Sequence, residues 1–247
     1  MTMAKVDEIA ADVYRISIYS PDLRLTFNHF LVGDDAPLLY HAGLRAMFPL
    51  VHDAVAQLID PASIRYVGFS HFESDECGTL NHWLDLAPRA EPLCGLVSAL
   101  VSVNDFATRP ARVLGTNDAL STGRRRFRLL PTPHLPHGWD ASLLFEETDR
   151  TLFCSDLCLQ SGECEPLSAE SIVERARDAL VAAEAGPFAH SVPYTRDTDL
   201  ALETLARQAP RTLAIMHGAS YRGDGARELR DLAHMMREVL APPEGTP

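Results

Sequence analysis

A histidine and two carboxylates stand at alternate positions directly after an apolar run in the first third of the chain. The run 64–69 predicts a buried strand, and His71, Glu73 and Asp75 follow it in a segment that we interpret as a loop. In locally extended backbone, side chains at alternate positions point the same way, so these three groups converge on one point. Crowded carboxylates and imidazole favour a cation between them, and a transition metal suits this mixture of donors.

The same segment has a simpler interpretation, in which its polar residues only cap the helix that follows. Asp75 or Thr79 can accept a hydrogen bond from the first amides of that helix. Short motifs also occur by chance. The remainder of the chain favours the metal interpretation, because it contains more groups of the same kind.

Further candidate ligands follow later β-type runs. His134 and His137 lie in a Pro- and Gly-containing turn after a run that ends near residue 131, Asp156 follows the run 151–155, and His217 follows the run 212–216. One histidine at the end of a strand is commonly a structural residue. Several candidate ligands at the ends of separate strands predict a shared centre.

The order of these motifs resembles the metallo-β-lactamase superfamily. Within it, the chain looks like the diiron domain of flavodiiron proteins and like stand-alone oxygen-binding diiron proteins, because Glu73 stands where the zinc hydrolases have a second histidine. The segment from His137 to Asp140 resembles the H-x-x-D-S segment of that branch, which favours His137 over His134 as the ligand. The resemblance extends from about residue 14 to 240.

The resemblance implies a pair of metal ions and a role for each candidate residue. The implied ligands are His71, Glu73, Asp75, His137, Asp156 and His217. Asp156 would bridge the pair, with His71, Glu73 and His137 completing one metal and Asp75 and His217 completing the other. Three carboxylates and three imidazoles suit two iron ions, with manganese or zinc as alternatives, and zinc suits this oxygen-rich set least.

One position departs from the pattern of the flavodiiron branch. The motif there usually continues with a histidine, and this chain has Glu76 instead. The second metal therefore loses a nitrogen ligand, gains a carboxylate, or keeps an open coordination position.

Apolar patterns divide the chain into two β-rich halves, each closed by helices. Strands are predicted at 13–18, 28–32, 37–40 and 64–69, and near residues 113, 127, 143 and 153. Helices are predicted at 47–58, 79–86, 96–104, 169–184, 197–206 and 225–240. We expect an α/β fold of the αββα sandwich type as a single domain over residues 1–247, with a frayed tail at 242–247.

Composition narrows the kinds of partner. The net charge of −12 argues against nucleic acid, and the basic run 124–128 is interpreted as an exposed hairpin edge or, alternatively, as a docking patch for an acidic partner. No apolar run is long enough for a membrane span, and no signal peptide is evident. Five cysteines without an export signal predict a cytoplasmic protein with reduced thiols.

Three functions remain open at the level of sequence. The first is a non-haem diiron protein that binds dioxygen as a sensor or carrier. The second is an O2 or NO reductase fed by an external donor, since we expect no fused FMN domain in 247 residues. The third is a metal-dependent hydrolase of thioesters, lactones or phosphoesters. The expected partners are dioxygen or NO and a signalling or electron-transfer protein, and a homodimer remains open.

Overall fold

The computed structural model describes residues 3–241, so the predicted tail at 242–247 lies outside the described part. Within residues 3–241 the strands form two sheets of seven strands each. The first sheet contains, in spatial order, β1 (Lys5–Ala10), β2 (Val13–Ser20), β3 (Leu25–Val32), β4 (Leu38–Tyr40), β5 (Tyr66–Gly68), β6 (Glu91–Cys94) and β7 (Arg112–Val113). The second contains β8 (Leu120–Ser121), β9 (Arg126–Pro131), β10 (Ser142–Glu146), β11 (Thr151–Ser155), β12 (Leu167–Ser168), β13 (Thr212–Ile215) and β14 (Ser220–Arg222). Their spatial order is β12-β14-β13-β11-β10-β9-β8.

The helices lie in the positions that the apolar periodicity predicts. They are α1 (Phe48–Ala56), α2 (Ser74–Cys77), α3 (Leu80–Leu86), α4 (Leu96–Ser98), α5 (Asn104–Phe106), α6 (Val173–Glu184), α7 (Thr198–Ala206) and α8 (Gly225–Leu240). A π-helical segment (Ala99–Val103) joins α4 to α5, so the predicted helix at 96–104 is present but irregular. Short 3-10 turns occur at Arg45–Met47 and Pro61–Ser63. Of these helices, α2 is the one that the sequence analysis did not anticipate.

The two sheets pack face to face, and helices cover their outer faces. Alternation along single strands shows this arrangement: Leu38 and Tyr40 of β4 point into the core between the sheets, whereas Leu39 points to the outer core beneath α1 and α3. In β11, Phe153 points between the sheets and Leu152 points to the outer core beneath α6, α7 and α8. The predicted αββα sandwich is therefore confirmed.

Five short or charged strands escape the sequence patterns, namely β1, β6, β8, β12 and β14. The first carries charged residues because it is the outermost strand of its sheet, and the others have only two to four residues. The interpretation of the run 124–128 as an exposed edge is wrong for Arg125. This side chain, in the turn between β8 and β9, is buried and pairs with Glu146 at 3.3 Å and Asp149 at 2.9 Å.

The candidate ligands meet because strand ends meet. The neighbouring strands β11 and β13 run parallel, so their carboxyl ends lie at one edge of the second sheet. Strand β5, parallel to β4 in the first sheet, ends near the same edge, where the Ser70 carbonyl accepts from the Ser142 amide at 3.0 Å. None of the helices described between residues 3 and 241 is both long and apolar enough to cross a membrane.

Candidate metal centre

The segment after β5 is extended for only part of its length. Glu73 is extended (φ −135°, ψ 159°), and its Oε2 lies 2.9 Å from His71 Nε2, as alternation predicts. From Ser74 onward the chain turns into α2, so the expectation that Asp75 points the same way through an extended loop is wrong. The helical turn instead directs Asp75 to a different partner, His217.

Neither of the capping roles considered for this segment is observed. Asp75 lies within α2 rather than at its N-cap, which is Glu73 and has no side-chain capping hydrogen bond. Thr79, at the N-cap of α3, makes no capping hydrogen bond either. The Thr79 hydroxyl donates to the Ala42 carbonyl oxygen at 2.6 Å instead. Helix capping therefore does not explain why acidic residues are concentrated here.

Four of the predicted residues form one compact group of donor atoms. Ligand atoms of His71, Glu73, His137 and Asp156 all lie within 4.8 Å of one another. Glu73 Oε2 is 3.0 Å from His137 Nε2, and Asp156 Oδ2 is 3.3 Å from the same nitrogen and 3.7 Å from His71 Nε2. Two ligand atoms that each lie about 2.1 Å from one cation are roughly 3.0–3.4 Å apart at octahedral to tetrahedral angles. The group therefore fits a single transition-metal ion.

The remaining predicted residues form a second group on the other side of Asp156. His217 Nε2 lies 3.1 Å from Asp156 Oδ1 and 3.3 Å from Asp75 Oδ2. The other ring nitrogen, Nδ1, is 2.9 Å from the carbonyl oxygen of Thr26, which leaves Nε2 to face the carboxylates.

Asp156 is thus placed between the two groups, with Oδ2 toward the first and Oδ1 toward the second. Its side chain is only 10% exposed, and Oδ1 is buried without a well-aligned hydrogen bond. A buried carboxylate is costly unless a cation neutralises it, either a protonated imidazole such as that of His217 or a metal ion. The geometry therefore suits the bridging position that the resemblance implies for Asp156.

The two candidate histidines of the loop between β9 and β10 differ in their surroundings. His137 lies in the compact group, and its second nitrogen, Nδ1, is buried. His134 is exposed, has a left-handed backbone (φ 65°), and donates its amide to the Gly138 carbonyl oxygen at 2.8 Å. Its position is that of a turn residue, so the preference for His137 is the one that the geometry supports.

Two imidazoles of the centre have raised pKa values in the absence of a metal. Burial lowers the pKa of His71, but the hydrogen bond to Glu73 and the charges of Glu76 and Asp156 outweigh it and raise that pKa to about 9. Burial likewise opposes protonation of His217, whereas Asp156 and Asp75 raise its pKa to about 10. Protonated imidazoles beside these carboxylates take the place that a cation fills in a loaded site.

The residue that breaks the family pattern, Glu76, lies behind the centre rather than in it. Its carboxylate is fully buried and accepts hydrogen bonds from Ser70 and Ser155, and His41 Nε2 lies 3.2 Å away. Burial raises the pKa of Glu76 to about 7. The sequence analysis did not single out Ser70, Ser155 or His41. The only available signal was their position at the ends of β-type runs.

The first group opens to solvent. Glu73 is 52% exposed and His137 27%, whereas His71 is 3% exposed. Exposed aromatic side chains of Phe72 and Trp139 lie on the loops that carry these ligands. A small molecule can therefore reach the first group from solvent.

Comparison with known proteins agrees with this fold and site. A family model described as "ODP family beta lactamase" matches residues 25–218, which is most of the chain, and the chain belongs to this family. Among curated proteins, flavo-diiron protein FprA2 from Clostridium acetobutylicum is 24% identical over 175 residues, covering 64% of this chain and 43% of that protein. Rubredoxin-oxygen oxidoreductase from Megalodesulfovibrio gigas is 25% identical over 207 residues, covering 80% of this chain and 50% of that protein.

The solved structures give the same fold. The flavodiiron protein from Giardia intestinalis superposes with a TM-score of 0.78 at 18% identity, covering 96% of this chain and 60% of the other. At this identity, the likeness establishes the metallo-β-lactamase fold alone. The chain spans about half the length of the curated relatives cited above.

Proposed function

We propose that this chain is a non-haem diiron protein that binds dioxygen, as a sensor or carrier. The observation that carries the proposal is Asp156, whose two oxygens face two separate groups of donors. The donor set fits iron, because three carboxylates and three imidazoles provide mainly hard oxygen and borderline nitrogen ligands. The similarity to flavo-diiron protein FprA2 supports a pair of irons rather than a single ion.

The protein's own residues would hold the two ions unequally. The first has candidate ligands in His71, Glu73, His137 and Asp156, and the second has Asp75, His217 and the other oxygen of Asp156. When bound there, ferrous iron would supply the electrons that hold a diatomic ligand. The role of the chain is to fix the donor atoms and leave positions for that ligand. Since Glu76 is directed away from both groups, the second position has the fewer protein ligands.

A reductase is the second candidate, because one relative is named rubredoxin-oxygen oxidoreductase. In that case the chain would turn over O2 or NO with electrons from an external donor. The hydrolase alternative has weaker support, because Glu73 occupies the position where the zinc hydrolases carry a nitrogen ligand.

Metal analysis tests the diiron proposal first, and mixing with oxygen then tests the proposed functions. Anaerobically purified protein that has been supplied with ferrous iron should contain two irons per chain. Near-stoichiometric zinc together with failure to take up iron would contradict the diiron proposal.

Stopped-flow mixing with O2 then separates sensor or carrier from reductase. A sensor or carrier should form a long-lived oxygenated spectrum that removal of O2 reverses. Rapid return to the spectrum of the oxidised protein, with fast repeated turnover when a reduced flavoprotein or rubredoxin is supplied, would favour the reductase. The Asp156→Ala variant, which should lack the metal pair, is the control for absorbance that does not come from the centre.

A further inference from the structure

We propose that Glu76 is a positioning residue, which holds His71 in its metal-facing orientation from behind and does not itself bind the second metal. This inference rests on the proposed metal centre. It assigns a role to the one position at which the chain departs from the flavodiiron pattern.

Both oxygens of the Glu76 carboxylate are occupied by protein groups. Oε2 accepts from the Ser70 amide at 3.0 Å and lies 3.2 Å from His41 Nε2. Oε1 accepts from the Ser155 hydroxyl at 2.6 Å and from the Ser70 hydroxyl at 3.0 Å. A carboxylate offers about four lone-pair directions. With three hydrogen bonds from protein groups, the His41 ring beside Oε2 and no solvent exposure, the Glu76 carboxylate is enclosed by protein rather than directed at the second group of donors.

A chain of hydrogen bonds connects Glu76 to His71. The Ser70 hydroxyl oxygen lies 2.7 Å from His71 Nδ1 and 3.0 Å from Glu76 Oε1. When Nδ1–H donates to the Ser70 oxygen, the single Ser70 O–H is free to donate either directly to the carboxylate or to the Ser155 hydroxyl oxygen at 2.6 Å. By the second route the bond still ends at Glu76, because the Ser155 O–H donates to the same carboxylate oxygen. The opposite ring nitrogen, Nε2, then points at the donor group formed with Glu73 and Asp156. A metal-binding histidine is commonly oriented by a hydrogen bond from its other nitrogen to an acceptor, and here a serine relays that bond to a carboxylate.

The same carboxylate holds the residue that precedes the bridging aspartate. Ser155 has a left-handed backbone (φ 52°), which is strained for a residue with a Cβ. Its hydroxyl donates to Glu76 at 2.6 Å, and the adjacent residue is Asp156. Glu76 therefore ties the ends of β5 and β11 together, so that His71 and Asp156 keep a fixed separation.

His41 encloses the carboxylate on the side away from the serines. Its ring is fully buried, and its backbone is left-handed (φ 66°) at the end of β4. The Ala42 amide next to it donates to the Glu76 carbonyl oxygen at 2.7 Å, which fixes the two loops to each other. Glu76 is thus held by contacts from β4, β5 and β11, as expected for a residue whose function depends on fixed geometry.

The test uses the exchangeable imidazole N–H protons of the full-length protein, observed by NMR with 15N-labelled histidine, with and without cobalt(II). His71 Nδ1–H, bonded to Ser70, is the reporter. His217 Nδ1–H, bonded to the Thr26 carbonyl oxygen, is an internal reference that Glu76 does not contact. In Glu76→Gln, we expect the His71 signal to shift and to exchange with solvent at least about tenfold faster, while the His217 signal stays unchanged.

Cobalt titration supplies the second readout. Glu76→Gln should still bind two cobalt ions per chain, with affinity at the first position reduced by about 10–100-fold, as is typical when an outer hydrogen-bond partner of a ligand is lost. Ser70→Ala should reproduce both effects. The matched control is Glu228→Gln, which alters another buried carboxylate, on α8, that accepts from the Ser171 hydroxyl and the Ile172 amide. This variant should change neither readout.

Two results would overturn the positioning role. Loss of the second cobalt with an unchanged His71 signal would make Glu76 a ligand, and unchanged signals with unchanged affinity would mean that it positions nothing. If the wild-type protein binds no metal, the proposed function fails. The exchange rate of His71 Nδ1–H in metal-free protein then still decides whether Glu76 holds that ring.

Discussion

Replacing Asp156 should have a larger effect on metal content than replacing any other single candidate ligand. Its Oδ2 lies 3.3 Å from His137 Nε2 in the first group, and its Oδ1 lies 3.1 Å from His217 Nε2 in the second. Asp156→Ala removes a donor from both positions at once. Asp75→Ala removes a donor from the second position alone, because Asp75 contacts His217 and is not in the first group.

The magnitude follows from the number of donors lost. A structural metal site with four ligands is worth about 10–16 kcal/mol, so that each ligand carries roughly 2.5–4 kcal/mol. At 1.4 kcal/mol per factor of ten, losing one ligand weakens binding by about 10²–10³-fold. We therefore expect Asp156→Ala to weaken both positions by about that factor and Asp75→Ala to weaken only the second. In either variant, metal affinity should fall more at the second position than at the first, because the second position has fewer donors.

Competition against a chromophoric chelator under anaerobic conditions measures both affinities, and iron analysis after desalting gives the number retained. Circular dichroism of the metal-free variants checks that each has folded, which separates loss of a ligand from loss of structure. The bridging assignment is refuted if Asp156→Ala retains two irons with wild-type affinity. It is equally refuted if Asp156→Ala and Asp75→Ala lose the same single iron.

Four further outcomes follow from the structure. Because the His71 pKa is raised to about 9, metal binding at the first position must expel a proton at neutral pH. The metal affinity of that position should therefore rise about tenfold per pH unit between pH 6 and 8. Chelator competition that gives the same affinity at every pH would contradict this. The same raised pKa means that protonated His71 stabilises the metal-free fold fully below its unfolded value of about 6.5, and that this stabilisation is lost as the pH rises through 9. His137→Ala should lose iron at the first position whereas His134→Ala keeps it, and the opposite pattern in metal analysis would reverse the assignment. Trp83→Ala should lower the free energy of unfolding by about 3–5 kcal/mol, because the Trp83 ring is fully buried. Trp139→Ala should change it by less than about 0.5 kcal/mol, because the Trp139 side chain is exposed. Urea denaturation measures both.

The residue types that form the centre were readable from the sequence, because metal chemistry depends on donor atoms and these are fixed by residue identity. His71, Glu73, Asp156 and His217 each follow a β-type run, and strand ends collect at sheet edges. The sandwich was predictable for a similar reason. Alternation in strands such as β4 reports which faces are buried, independently of what covers them.

Local backbone conformation was not readable at the decisive positions. No pattern in the sequence indicates that the extended backbone ends at Glu73 and that the next four residues form α2. A change of backbone torsions at one residue redirects every side chain after it. Asp75 consequently faces His217 instead of joining His71 in the first group.

Only the tertiary structure decided the direction of Glu76. From the sequence, its carboxylate could equally bind the second metal or point away, because residue type fixes the chemistry of a group but not its partners. Those partners, Ser70, Ser155 and His41, come from three strands brought together by packing of the two sheets. The sequence therefore determined which donors the protein has. The fold determined which of them face a metal and which hold the others in place, since contacts between distant strands leave no local pattern in the chain.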